Sequence, residues 1–213
     1  MSTAAFFSAS GFYTVTNMEM PAGFDVEIDV VGMKPILKEI KARSKKGPAP
    51  AGVLHLLSTD KWVLTEDIIE AVGGEPAFSK GVLMECEGKG WVEKHIEAED
   101  VVYWRLKDYN IPAREVFLAL SGDKEPITSL KTLKKTRQTC NRSYLILSYE
   151  VDNDFVQECF YAGIGILLFY PRNGYFREIL PSEYQDIHDK RSQLVLCERV
   201  LFENYVLRME DIV

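Results

Sequence analysis

The reading of this chain turns on Glu27-Ile28-Asp29-Val30-Val31-Gly32-Met33-Lys34-Pro35-Ile36-Leu37-Lys38-Glu39-Ile40-Lys41. From Asp25 to Val31 charged and apolar side chains alternate, the two-residue period of a strand, and Gly32 breaks the run. Ile36 to Arg43 fits either a strand or a short helix. As a strand, it would close a hairpin centred on Lys34, with Asp29 opposite Glu39 and Glu27 opposite Lys41. All four would share one face, with Ile28, Val30, Ile36 and Ile40 on the other; only Lys38 spoils the alternation. Directly opposed residues bring their Cβ atoms to roughly 4.5–5.5 Å, so Asp29 and Glu39 form a like-charged pair that a bound cation would relieve.

Outward from this segment the chain divides into three zones. Residues 1–47 are read as the first part of a core, with a β-rich run over 11–20 and a turn at Pro21-Ala22-Gly23. A linker by composition, Ser44 to Gly52, opens a second module over 48–109. There, Val53 to Leu57 suggests a helix. Thr65 is expected to cap a second helix, with Glu66 and Asp67 in its first turn, Ile68, Ile69 and Val72 buried, and Gly73-Gly74 at its end. A third helix runs from about Pro76 to Cys86, followed by two strands, Trp91–Ile96 and Val101–Leu106. That order resembles a winged helix-turn-helix.

Residues 110–213 return to mixed α/β. Val116–Leu120 is a strand, Thr128 caps a basic helix reaching Cys140, and Tyr144–Ser148 is a buried strand. A helix over Asp152–Tyr161 then leads to a strand over Gly163–Phe169. Strand, helix and strand in that order imply a parallel pair with a crossover. The last segment reads as an acidic helix.

Composition narrows the function classes. With 213 residues and 46% hydrophobic side chains the chain can bury a large core. No apolar run approaches the length of a membrane span and the N-terminus carries no basic-then-apolar leader, so a cytoplasmic protein without membrane association is expected. Cys86, Cys140, Cys159 and Cys197 form no CxxC pair, and His55, His95 and His188 are dispersed; neither a zinc site nor a disulfide framework is suggested. The net charge of -7 argues against coating by nucleic acid, yet the bases cluster. Lys34, Lys38, Lys41, Arg43, Lys45 and Lys46 form one group, and Lys124, Lys131, Lys134, Lys135, Arg137 and Arg142 another. Each is either a phosphate grip or a solvated face.

Metal-dependent phosphodiester cleavage needs hard oxygen ligands held together and a cation near the attacking water. Glu-Ile-Asp-Val-Val-Gly followed by Glu-Ile-Lys resembles the Asp…Glu-x-Lys signature of the PD-(D/E)xK nucleases, and most nearly restriction-type and archaeal Holliday-junction resolvase-like members. The resemblance spans about residues 5–47 and 110–180. It implies a restriction-endonuclease-like mixed sheet flanked by helices, into which the small winged-helix domain is inserted. It also implies that Asp29 and Glu39 ligate Mg2+ or Mn2+, that Lys41 positions the nucleophilic water, and that Glu27 is a further acid on the same face. DNA is then the expected partner, gripped by Lys34, Arg43, Lys45, Lys46, Lys131, Lys134, Lys135 and Arg137, with Lys80 and Lys89 reaching it from the winged helix. A homodimer is expected too, because two DNA strands need two sites, with the strand Ile164–Phe169 and the C-terminal segment as its interface. Two rivals stand beside the nuclease. One is a noncatalytic DNA-binding or regulatory protein that keeps the fold. The other is a winged-helix interaction module in a repair or transcription assembly, since Glu75, Glu85 and Glu87 on and beside the third helix repel phosphate.

Overall fold

The computed structural model describes the chain except residues 1, 22–23, 44–45, 48, 74, 99–100, 108 and 211–213, and the side chains from 205 onward. Two compact units are present: residues 1–36 with 113–213, and residues 37–112. The second unit begins earlier than composition suggests, because the stretch after Pro35 is helical.

In the first unit, α1 (Thr3–Ala9) precedes β1 (Tyr13–Glu19) and β2 (Glu27–Pro35). After the second unit come β6 (Ala113–Ser121), α6 (Pro126–Thr136), β7 (Arg142–Leu147), α7 (Asn153–Tyr161), β8 (Gly165–Tyr170), β9 (Tyr175–Leu180) and α8 (Lys190–Glu210). The sheet runs β1-β2-β6-β7-β8-β9. β1, β2 and β6 are antiparallel, β6, β7 and β8 are parallel through the crossovers α6 and α7, and β9 turns back antiparallel. β8 is therefore an inner strand, buried between β7 and β9, and the expected use of Ile164–Phe169 as a dimer interface is corrected.

One face of this sheet buries Val30, Phe117, Ala119, Tyr144, Ile146, Leu167 and Phe176 with Phe7 of α1. By the strand alternation, Leu118, Leu145, Leu147 and Leu168 line the opposite face, where α6, α7 and α8 pack. Gly32 does not break β2. It pairs with Phe117 on β6 and leaves room for the Phe117 ring, whose Cε1 would stand 2.1 Å from any Cβ at that position. Thr128 does not cap α6, which begins at Pro126, a residue whose fixed φ suits the first helical position. Asp152 caps α7 as its sequence suggests, accepting from the Phe155 N–H at 2.8 Å.

The second unit holds α2 (Leu37–Arg43), α3 (Ala51–Leu54), β3 (Val63–Leu64), α4 (Thr65–Val72), α5 (Pro76–Gly88), β4 (Val92–Ala98) and β5 (Val101–Leu106). Its three strands form a sheet in the order β3-β5-β4. Leu54, Ile68, Leu83 and Cys86 are fully buried and tie α3, α4 and α5 together. Gly73 ends α4 in the left-handed conformation at φ 65°, as the Gly-Gly pair suggests. Thr65 serves a different end from the one expected. Its hydroxyl donates to the Val102 carbonyl at 2.7 Å and accepts from Trp104 Nε1 at 2.9 Å, anchoring α4 to β5 instead of capping the helix.

Candidate functional site

The hairpin that would bring Asp29 and Glu39 together does not form. Leu37-Lys38-Glu39-Ile40-Lys41-Ala42-Arg43 is built from good helix formers and folds as α2, with Glu39 early and Lys41 and Arg43 late, the arrangement the helix dipole favours. The edge of β2 that a hairpin partner would occupy is taken by β6. Glu39 and Lys41 thus ride on a helix of the second unit, and neither pairs with β2. Glu39 instead lies 3.8 Å from Arg43, one turn on.

Asp29 stays on β2, where Val30 is opposite Ala119. Its Oδ2 accepts the backbone N–H of Ser121 at 2.5 Å, at the C-terminal end of β6. Asp123 repeats the device one strand over, accepting the Ser148 N–H at 2.6 Å beyond the end of β7. Ser129 Oγ closes the loop by donating to the Ser121 carbonyl at 2.8 Å. One oxygen of each carboxylate thereby satisfies a backbone donor where two parallel strands stop, a structural use of both side chains. Glu27 is directly opposite Glu19 across β1 and β2, an exposed like-charged pair on a hollow that Asp25 also lines. Among the described residues no group of three or more His, Cys, Asp or Glu side chains could hold a metal ion.

The basic clusters are largely absorbed by the fold. Arg137 is buried and spends its guanidinium on the carbonyls of Asn141 at 3.1 Å and Glu183 at 2.5 Å, pinning the segment after β9. Gln185 returns a bond to the Arg137 carbonyl. Lys135 donates to the Phe24 carbonyl at 2.9 Å, and Lys134 pairs with Glu158 at 2.6 Å. Of this group Lys131 is exposed on α6. In the second unit Arg43 is buried, donates to the carbonyls of Glu39 at 3.1 Å and Asn110 at 2.6 Å, and stacks on Trp91 and Tyr109 at 5.1 and 5.2 Å. Lys46 covers the same Trp91 ring at 4.9 Å and donates to the Gly90 carbonyl at 3.2 Å. Lys89 pairs with Glu85, whereas Lys80 on α5 and Lys34 on β2 are exposed. Lys45 lies outside the described residues. Phosphate-binding roles for Arg137 and Arg43 are thus corrected: a guanidinium sealed against carbonyls and aromatic rings cannot also reach a backbone phosphate.

Burial pushes the Cys86 and Cys159 thiols up to about 11 and raises Cys140 as well, so these cysteines are neutral packing groups. The Tyr103 phenol is raised by its hydrogen bond to Glu97, and the Tyr144 phenol by burial.

Sequence reasoning passed over the outward face of α5. Phe78 is 68% and Met84 63% exposed there. The signal was present in the spacing of Ala77, Gly81, Met84 and Gly88.

No family model and no curated protein matches the chain. A solved structure described as SPO1766 protein of unknown function from Silicibacter pomeroyi is similar at a TM-score of 0.42 and 11% identity, over 97% of this chain and 82% of that one. No helix among the described residues is long and apolar enough to cross a membrane.

Proposed function

We propose that this chain is a noncatalytic regulatory protein, which uses a nuclease-like core as scaffold and a winged-helix-type second unit as its binding element. The observation that carries this reading is the register beside Asp29. The strand adjoining β2 there is β6, and it presents Ala119, Leu120 and Ser121 where the nuclease signature needs an acid and a lysine. A lone carboxylate bonded to a backbone N–H has neither the second hard ligand nor the cation that metal-dependent hydrolysis requires.

Two further features support the architecture. The order α1, antiparallel β1-β2-β6, α6 and parallel β7 follows what the nuclease resemblance implies, interrupted in sequence between β2 and β6. The second unit sets four helices, α2 to α5, before the strand pair β4–β5 and adds the short β3 to its edge; the last three helices and the pair have the order expected of a winged helix.

The test is cleavage of linear, branched and single-stranded DNA in Mg2+ or Mn2+ by the purified chain and by Asp29→Ala. The expected result is no metal-dependent product above the level of the variant. Cleavage by the parent that Asp29→Ala abolishes would refute the reading.

A further inference from the structure

The β3-β5-β4 sheet turns one face to the helices of its unit and the other outward. Trp104 is on the inner face, bonded to Thr65 of α4, and Lys94 beside it pairs with Glu87 of α5. On the outer face the register sets Leu64, Tyr103 and His95 in one row and Arg105 with Glu93 in the next. Trp62, 40% exposed, lies over this face, with the Arg105 guanidinium 4.5 Å and the His95 ring 5.7 Å from its ring centroid. Arg105 is itself fixed by its ion pair with Glu93. A ring backed in this way loses little freedom when something packs on it. Among the described residues nothing accepts a hydrogen bond from Trp62 Nε1, whereas Trp104 Nε1 is spent on Thr65. The face therefore offers a held aromatic ring and a free donor side by side.

The contacts of Tyr103 place the charge on the same face. Its hydroxyl donates to Glu97, and Asp67 in the first turn of α4 adds to the negative field at the phenol. Among the described residues neither carboxylate is in an ion pair. The bases lie toward the other end: Arg105 is neutralised by Glu93, and Lys61 and Lys107 neighbour Trp62 and Leu106 in the chain. A single-stranded nucleic acid stacked on Trp62 would bring its phosphates onto Glu93 and Glu97. A polyproline II segment meets the face better. Its prolines pack flat on aromatic rings, its carbonyls have no internal partners and accept from an indole N–H, and a Lys or Arg within it meets a carboxylate. Glu97 is opposite the step from Val101 to Val102 and Trp62 is beside Arg105, so the two are separated by three or four residues of β5, roughly 10–13 Å. Polyproline II returns to the same side after three residues, about 9 Å, and the long side chains close the difference.

We infer that this sheet face binds a proline-rich segment of another protein, with a proline on Trp62 and a Lys or Arg three residues away on Glu97. The inference rests on the second unit being the binding element of the proposed function.

The probe is a fluorescent synthetic peptide of about ten residues, proline throughout except for one central Arg. It is titrated into the full chain at low salt beside a peptide with Glu in place of the Arg and one with Gly in place of every proline, and with single-stranded DNA and a soluble oligosaccharide as competitors. The Arg peptide is expected to bind about threefold or more tighter than the Glu peptide and to lose binding when its prolines are replaced. Trp62→Ala should weaken it about tenfold, and Glu97→Gln should remove most of the preference for Arg. Circular dichroism matching the parent separates lost docking from lost folding. The chain has three tryptophans, and the indole N–H signal of Trp62, assigned by its absence from Trp62→Phe, should shift on titration while those of the buried Trp91 and Trp104 stay. Absence of saturable binding, equal affinity for the Arg and Glu peptides, an unmoved Trp62 signal at saturation, or displacement by the oligonucleotide or the oligosaccharide would each overturn the inference. Asp29-dependent cleavage would sink the noncatalytic reading while leaving the peptide result standing, so the two failures are distinguishable.

Discussion

Replacing Gly32 with Ala tests the packing on which the core sheet depends. The added methyl would lie 2.1, 2.4 and 3.0 Å from three atoms of the Phe117 ring, where ordinary carbon contacts are about 3.5–4.0 Å. The ring would have to retreat by roughly 1.5 Å on that contact distance. Its surroundings resist this: Phe117 is 1% exposed, Phe7 is stacked on it at 3.9 Å between centroids, and Phe12 meets it edge-on at 5.0 Å. Overpacking of this kind costs about 1–3 kcal/mol. Against it, alanine in a strand gains about 0.5–1 kcal/mol over glycine by restricting the unfolded chain. Gly32 does not have a positive φ, so backbone strain adds nothing to either side. The overpacking term wins, and Gly32→Ala should be less stable by about 1–2 kcal/mol, a fall in Tm of roughly 2–8 °C. Urea unfolding followed by far-UV circular dichroism measures it. In a double-mutant cycle Phe117→Leu, which removes the ring, should couple favourably with Gly32→Ala by about 1 kcal/mol. A Gly32→Ala protein as stable as the parent, or strict additivity with Phe117→Leu, would refute the reasoning.

Two further outcomes follow from buried groups. Arg137→Met strips donors from the buried Asn141 carbonyl and the part-buried Glu183 carbonyl and should destabilise by roughly 2–3 kcal/mol, with amide exchange accelerated first over residues 181–189; Lys134→Ala, which loses an exposed pair, should cost under about 1 kcal/mol in the same assay. For Cys86 and Cys159 the folded pKa lies above the unfolded one, so the protonated thiol is the form the fold favours. Their contribution is therefore fully present below pH 9 and lost as pH rises toward 11, by about 3 kcal/mol per thiol at most, which denaturant midpoints across that range would show as a decline absent in Cys86→Ala/Cys159→Ala.

Much of the architecture was legible because its signals are local. The cap at Asp152, the Gly73 stop and the alternation over 25–31 each act within a few residues, and each element formed near its expected place. The candidate site was not legible, for a physical reason. Its meaning depended on which strand adjoins β2, and that neighbour comes from far along the chain. Within the segment 27–41 a hairpin and a strand followed by a helix satisfy the same alternation; helix propensity in 37–43 and the claim of β6 on the β2 edge decide between them. The basic clusters misled in a similar way, since a lysine on a surface and an arginine holding two carbonyls look alike in sequence.

The pairing of β2 with β6 joins residue 35 to residue 113, 78 positions further on. Compared with a hairpin loop of about six residues, closing a flexible loop that long costs roughly 2 kcal/mol more in chain entropy. This seam of the larger unit is therefore a non-local contact, formed only after a long search, whereas the α6 and α7 crossovers close short distances. Any ordering of residues 37–112 before that seam closes shortens the effective loop. The kinetics of the core thus answer to the unit inserted within it, even where the two share no chemistry.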